Sequence, residues 1–216
     1  MFPICIVDNF FQNPDNVVDF ANTLEYNPGN GRWPGVRTDA LANVAPMLQS
    51  EIGGKIVRLF YPEQDFRFAA EIMFQKVQPM HEDQYHIKNR GWIHRDENQA
   101  FGGIIYLTKD PEPNTGTSIF ESKTFSEFNV THANHDVQKR FYTGEDVSDE
   151  EYEENFYSTP DKWKEVVKVE NVYNRMFMFS SRYPHAVQTF GTKERLTLAF
   201  FFKDICSPSF APPELR

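Results

Sequence analysis

His94 and Asp96 stand two residues apart in the stretch Gly91-Trp92-Ile93-His94-Arg95-Asp96. On an extended strand both side chains leave the same face, roughly 7 Å apart at the backbone, and can converge on one ion. A third candidate ligand, His185, follows the apolar run Met176-Phe177-Met178-Phe179. Two imidazoles and one carboxylate with open positions make a facial triad that suits non-haem Fe(II). Ten residues beyond His185 lies Arg195, with Thr197 on the same strand face by alternation. A buried guanidinium at the far end of such a pocket would pair bidentately with the distal carboxylate of a dicarboxylate. Thr197 or Tyr106 could add a hydroxyl hydrogen bond. Taken singly, each of these residues reads as an ordinary barrel or strand residue; the case rests on their joint order.

The elements that must position these groups fall in a clear sequence. Ile4 to Val7 is a short β-type run. Asn13-Pro14 marks a helix start, and Val17, Ala21 and Leu24 repeat at helical spacing. Asn27 to Gly31 reads as loop. A second helix is expected over 41–60, with Val44, Leu48, Ile52 and Ile56 on one stripe and with Pro46 and Gly53-Gly54 as weak points. Strands are expected over 66–77, 101–108, 117–120, 172–179 and 195–203. An insertion over about 123–170 carries the capping box Ser148-Asp149-Glu150-Glu151, with Val147 and Tyr152 placed as a staple. Thr159-Pro160-Asp161 suggests another short helix. Helices first and strands afterwards imply an α+β chain with a β-sandwich or jelly-roll core and helices on one face.

With 216 residues, 40% hydrophobic and 25% charged, the chain has the composition of a globular protein. Its 21 Phe supply large rings to bury. The expected organisation is one domain over 1–216: a helical part to about residue 62, then a core to about 204. The net charge of −9 repels phosphates and disfavours nucleic-acid or anionic-membrane partners. Cys5 and Cys206 form no cluster and read as two buried thiols, a bridge between them being the alternative. The opening residues lack a basic leader and no apolar run reaches membrane-spanning length, so a cytoplasmic location is expected.

The order His94-x-Asp96, Tyr106-Leu107-Thr108, Gly116-Thr117-x-x-Phe120, His185 and Arg195-x-Thr197 resembles the Fe(II)- and 2-oxoglutarate-dependent dioxygenases. The likeness is greatest to the prolyl-hydroxylase-like branch, whose strand-then-helix start is similar to ICIVDNFFQNPDNVV. The resemblance implies a double-stranded β-helix core and iron held by His94, Asp96 and His185. It implies 2-oxoglutarate chelated to that iron, with the distal carboxylate on Arg195 near Tyr106 and, as a looser match, Thr197. It implies O₂ as oxidant, succinate and CO₂ as products, and hydroxylation of a substrate. Halogenases of the family lack the carboxylate that Asp96 supplies. Nucleic-acid repair members carry a second arginine six positions after the first, where this chain has Phe201. A peptidyl side chain, a free amino acid or a small metabolite is the expected substrate.

Two rival readings use the same residues differently. A cupin-like jelly roll would hold a metal or small acid without turnover. An interaction domain would dock a basic partner on the acidic segment 145–154. Trp92 shares strand parity with His94 and either lines the pocket or packs in the core. Trp33 to Thr38, aromatic and cationic, suits substrate binding or capping of the barrel. His81 and His86 lie in a polar stretch expected over the barrel mouth, and His132-x-x-His135 is a weak zinc alternative.

Overall fold

A computed structural model describes residues 4–31, 33–59, 67–96, 98–123 and 135–206. The Pro-rich stretch 207–216, the chain around Tyr61-Pro62 and the His132/His135 side-chain pair lie outside them. The first run forms strand β1 (Cys5–Val7) and the Asn-Pro start forms helix α1 (Pro14–Thr23). Proline opens the first turn, where its missing N–H costs nothing. Ala21 is fully buried, and Val17, Val18, Phe20 and Leu24 pack around it.

The loop expected over 27–31 contains a two-residue strand, β2 (Asn27–Pro28), paired with β3 (Val36–Arg37). The helix expected over 41–60 is two helices, α2 (Leu41–Val44) and α3 (Pro46–Arg58). Proline disfavours a helical residue before it, so Ala45 leaves the helical region at φ −153°, ψ 65° and Pro46 starts the second helix. Gly53 and Gly54 do not end α3; both are buried inside it.

Strand β4 (Arg67–Val77) and strand β5 (Phe101–Tyr106) follow the expected runs. Then come β6 (Thr117–Ser122), α4 (His135–Tyr142) and α5 (Asp149–Asn155). Ser148 caps α5 by accepting from the Glu151 N–H at 3.1 Å. Residues 159–162 form a turn rather than the expected helix, and a strand not anticipated, β7 (Trp163–Val169), follows. It lies at an edge of its sheet, and Lys164, Glu165 and Lys168 give it the charges that edge strands carry. The strand expected from Val172 begins only at β8 (Met176–Ser180), because Asn174 takes φ 64° and turns the chain. Asn174 also bonds both backbone groups of Phe11, which fixes the start of the chain to this turn. Last come β9 (His185–Val187) and β10 (Arg195–Cys206).

Among the described residues the strands form two sheets, ordered β1-β8-β5-β10-β4-β3-β2 and β7-β6-β9. All pairings are antiparallel, and the architecture is the jelly roll expected of the α+β pattern. Alternation along β10 sorts its residues. Leu196, Leu198, Phe200 and Phe202 pack with the N-terminal helices in the main core. Arg195, Thr197, Ala199 and Phe201 take the opposite, inner face. There Tyr106, Ile119, Val169, Phe177 and Phe179 form a second core between the sheets. The cysteines are free: Cys5 is partly buried, and Cys206 is exposed, since Cys206 ends the last strand beyond the packed core.

Candidate metal centre

His94 and His185, 91 residues apart in sequence, face each other in an isolated antiparallel bridge. His94 N–H donates to His185 O at 3.0 Å, and His185 N–H donates to His94 O at 2.9 Å. The backbone pair brings the two rings to a centroid separation of 4.4 Å. Asp96 lies two residues on, with Oδ1 3.9 Å from His94 Nε2 and Oδ2 3.5 Å from His185 Nε2. Ligand atoms of all three lie within 4.8 Å of one another. Among the described residues this is the one such group of three. Residues 91–96 are not a regular strand as expected; only His94 is bridged, and that bridge suffices to aim His94 and Asp96 together.

The tautomers follow from the backbone. His94 Nδ1 lies 2.9 Å from Trp92 O, and His185 Nδ1 lies 2.9 Å from Tyr183 O. A carbonyl only accepts, so each Nδ1 carries a proton, and the Nε2 atoms of both rings are turned toward Asp96. Burial pushes His185 down to about 4, against the opposing pull of Asp96, so its imidazole is neutral near pH 7. His185 packs on Phe179 with ring centres 4.4 Å apart. The His94 side chain is 50% exposed, which leaves one side of the group open. The Asp96 carboxylate fits because position 102 is glycine: a Cβ there would lie 3.1 Å from Oδ2.

Arg195 is buried on the same inner face, at the start of β10. Its Nε and Nη2 have no hydrogen-bond partner among the described residues. Its Cζ lies 5.6 Å from the Tyr106 ring centre, and burial lowers its pKa. The Tyr106 hydroxyl donates to Thr117 Oγ1 across the two sheets at 2.9 Å, and burial raises its pKa. Thr197 sits opposite Tyr106 in register, its hydroxyl 3.5 Å from Gln75 O. So all six expected residues are on the inner side, but Thr197 and Tyr106 turn their hydroxyls to the protein.

Other expectations resolve differently. Trp92 is core, not pocket: it is buried against Tyr152, Phe156 and Tyr157 and donates Nε1–H to the Tyr152 hydroxyl at 2.7 Å. His81 and His86 stack on each other at 3.7 Å, and His86 faces Asp149 at 3.5 Å. Asp149 also pairs with Lys88, and Glu145 and Glu151 with Arg140, so part of the acidic segment is paired within the chain. A cleft of about 330 Å³ lies on the outer face of the smaller sheet, between Arg90, Phe120, Trp163 and Gln188, away from the histidine cluster. Sequence reasoning did not find the His94–His185 bridge or place Arg37 near the site. Neither has a local pattern; both arise from strand pairing across long separations.

The fold is that of the 2-oxoglutarate- and Fe(II)-dependent oxygenases. A prolyl hydroxylase from Trichoplax adhaerens, solved with a hypoxia inducible factor peptide fragment, matches with TM-score 0.52 at 12% identity, covering 92% of this chain and 82% of that one. HygX from Streptomyces hygroscopicus, solved with nickel, 2-oxoglutarate and hygromycin B, matches with TM-score 0.55 at 12% identity, covering 96% and 83%. A Pseudomonas putida prolyl-4-hydroxylase matches with TM-score 0.51 at 12% identity, covering 93% and 92%. At that identity the likeness is one of fold. No curated protein matches the sequence. The chain belongs to DUF6445, a family of unknown function, whose model matches residues 2–201.

Proposed function

We propose that this chain is an Fe(II)- and 2-oxoglutarate-dependent dioxygenase. His94, Asp96 and His185 hold the iron, and Arg195 takes the distal carboxylate of 2-oxoglutarate. One observation carries the reading: a buried guanidinium with two unpartnered nitrogens lies on the same inner face as a His-Asp-His group. A buried unpaired charge is costly by several kcal/mol and calls for an anion. The donor set fits the metal, with two imidazoles, one carboxylate and room on the exposed His94 side.

Each residue then has a task. The Trp92 and Tyr183 carbonyls orient the two imidazoles, and Asp96 offsets charge. Arg195 sets the direction of the bound diacid, with Tyr106 and Thr197 shaping its end of the pocket. Phe177, Phe179 and Ile104 keep water from the inner face. Iron, when bound, supplies O₂ activation coupled to decarboxylation of 2-oxoglutarate to succinate and CO₂. The substrate is a peptidyl or free amino acid or a small metabolite; the solved relatives include one with a peptide and one with hygromycin B. One oxygenase domain over 1–216 and a cytoplasmic setting complete the reading. Both unpaired cysteines suit that setting, and among the described residues no helix is long and apolar enough to cross a membrane.

An anaerobic titration with Fe(II) and then 2-oxoglutarate tests this. A visible metal-to-ligand charge-transfer band that needs both additions and is lost in His185→Ala is the expected result. Iron binding without the band would favour the cupin-like reading, and no iron binding would overturn the metal centre.

A further inference from the structure

Arg37 lies on β3, and its register places it in one row across the larger sheet. Arg37 is opposite Gln75, Gln75 opposite Thr197, and Thr197 opposite Tyr106. Arg37 therefore shares the inner face. Gly35 permits the close pairing: it takes φ 73°, and a Cβ there would overlap the Lys76 carbonyl. The guanidinium stacks on Trp33 at 4.3 Å and lies 5.8 Å from the Phe201 ring centre. Phe201 and Asp96 both border the space beside Gly102, so Arg37 reaches the rim of the His-Asp-His group.

The rest of its surroundings hold Arg37 in place without neutralising it. Nη2 donates to Gln75 Oε1 at 3.2 Å, and Gln75 is itself fixed by donating to Pro34 O at 2.8 Å. Nε is buried with no hydrogen-bond partner, and among the described residues no carboxylate forms an ion pair with Arg37. Burial pushes Arg37 down to about 10, partly opposed by Asp96 and Glu71, so it stays charged near neutrality. Glu71, which also pairs with Lys203, stands opposite Phe201 and adds a carboxylate at the same rim.

We propose that Arg37, backed by Trp33 and aligned by Gln75, anchors the α-carboxylate of a free amino acid that is the molecule oxidised at this site. The inference rests on the dioxygenase reading above. A guanidinium held by one neutral hydrogen bond, with no ion pair among the described residues, recognises a planar carboxylate. Asp96 and Glu71 beside it disfavour a dianion such as phosphate. Glu71 is already paired with Lys203 through Oε1, and that shared carboxylate is the acceptor an incoming ammonium group would meet, so the rim admits a zwitterion. A residue inside a peptide has no α-carboxylate to give.

The test uses protein loaded with Ni(II) and 2-oxoglutarate, a combination that binds without turnover. It is titrated calorimetrically with the twenty free L-amino acids, their methyl esters, and peptides carrying the same residue internally. At least one free acid should bind, with its ester and its peptide form weaker by tenfold or more. Arg37→Gln should abolish that discrimination while keeping the Fe(II)/2-oxoglutarate band, and Arg37→Lys should restore part of it. No binding by any free acid overturns the proposal, as does equal binding of acid and ester, tighter binding of the peptide, or undiminished discrimination in Arg37→Gln. Failure of the underlying reading shows separately, as absence of 2-oxoglutarate binding before any amino acid is added.

Discussion

Arg195 and Tyr106 lie against each other, Cζ to ring centre 5.6 Å, while the Tyr106 hydroxyl is spent on Thr117. The tyrosine gives the guanidinium a π-face and no acceptor. Arg195 is thus desolvated with no counter-ion among the described residues, which in a ligand-free protein is destabilising. Arg195→Met should raise the melting temperature of the ligand-free protein, by the equivalent of about 1–4 kcal/mol. In the wild type, 2-oxoglutarate at 100 times its Kd should add about 2.7 kcal/mol, and in the Met variant nothing. Thermal unfolding of both proteins with and without 2-oxoglutarate decides. A Met variant less stable than wild type, or a wild type indifferent to the ligand, would show that Arg195 serves the fold.

Gly102 and Gly103 are neighbours on β5 that should fail in different ways. A Cβ on Gly102 would press on Asp96 Oδ2 at 3.1 Å and on the Phe201 ring at 3.3 Å. Gly102→Ala should fold but displace the carboxylate, weakening Fe(II) binding tenfold or more. A Cβ on Gly103 would overlap the Phe177 carbonyl and the Phe200 ring in the main core. Gly103→Ala should lose about 1–3 kcal/mol of stability from overpacking. Metal titration and denaturant unfolding of each variant separate the two effects. Equal iron affinity in Gly102→Ala and wild type would count against Asp96 as ligand.

The site was more legible than the sheet that carries it. His94, Asp96, His185 and Arg195 declared themselves by residue type and spacing, since few other arrangements need two imidazoles, a carboxylate and a buried cation in that order. Strand β4 and strand β10 were equally plain, being long and rich in β-branched and aromatic residues. Strands β3 and β9 were not, because two or three residues are too few to show alternation, and partners fix them. Strand β7 was hidden by its charge: an edge strand over WKEVVKV looks polar, and the preceding Thr-Pro-Asp looked like a helix start. The break at Pro46 obeyed a local rule, but that the chain stays helical on both sides of it did not follow from that rule alone. Arg37 could be suspected from its aromatic neighbours, yet its place in one row with Gln75 and Thr197 needed the register of three strands.

Trp92 links the site to the insertion. Two residues after its buried indole comes His94, and its Nε1–H is bonded to Tyr152 of α5 at 2.7 Å. The Trp92 carbonyl orients the His94 ring at the same time. Tyr152→Phe would leave the indole N–H buried and unpartnered, at a cost of about 1–3 kcal/mol. The loss should appear in urea unfolding, with iron affinity falling less than in Gly102→Ala because the Trp92 carbonyl is untouched. Unchanged stability would mean that the hydroxyl contributes nothing across this contact.

His185 sets an acid limit on the metal-free protein. Burial holds it at about 4 in the folded state, below the ordinary value of 6.5. Between those two values the unfolded chain binds more protons than the folded one, so stability rises with pH. The contribution is complete above pH 6.5 and is lost as pH falls toward 4. Asp96 opposes the loss by favouring protonated His185, but burial outweighs it. Over that window one proton corresponds to a slope of up to about 1.4 kcal/mol per pH unit. Denaturant unfolding of metal-free protein from pH 7.5 to 4.5 should show this fall, and His185→Gln should flatten it. An equally steep profile in the Gln variant would move the origin of the acid sensitivity away from the buried imidazole.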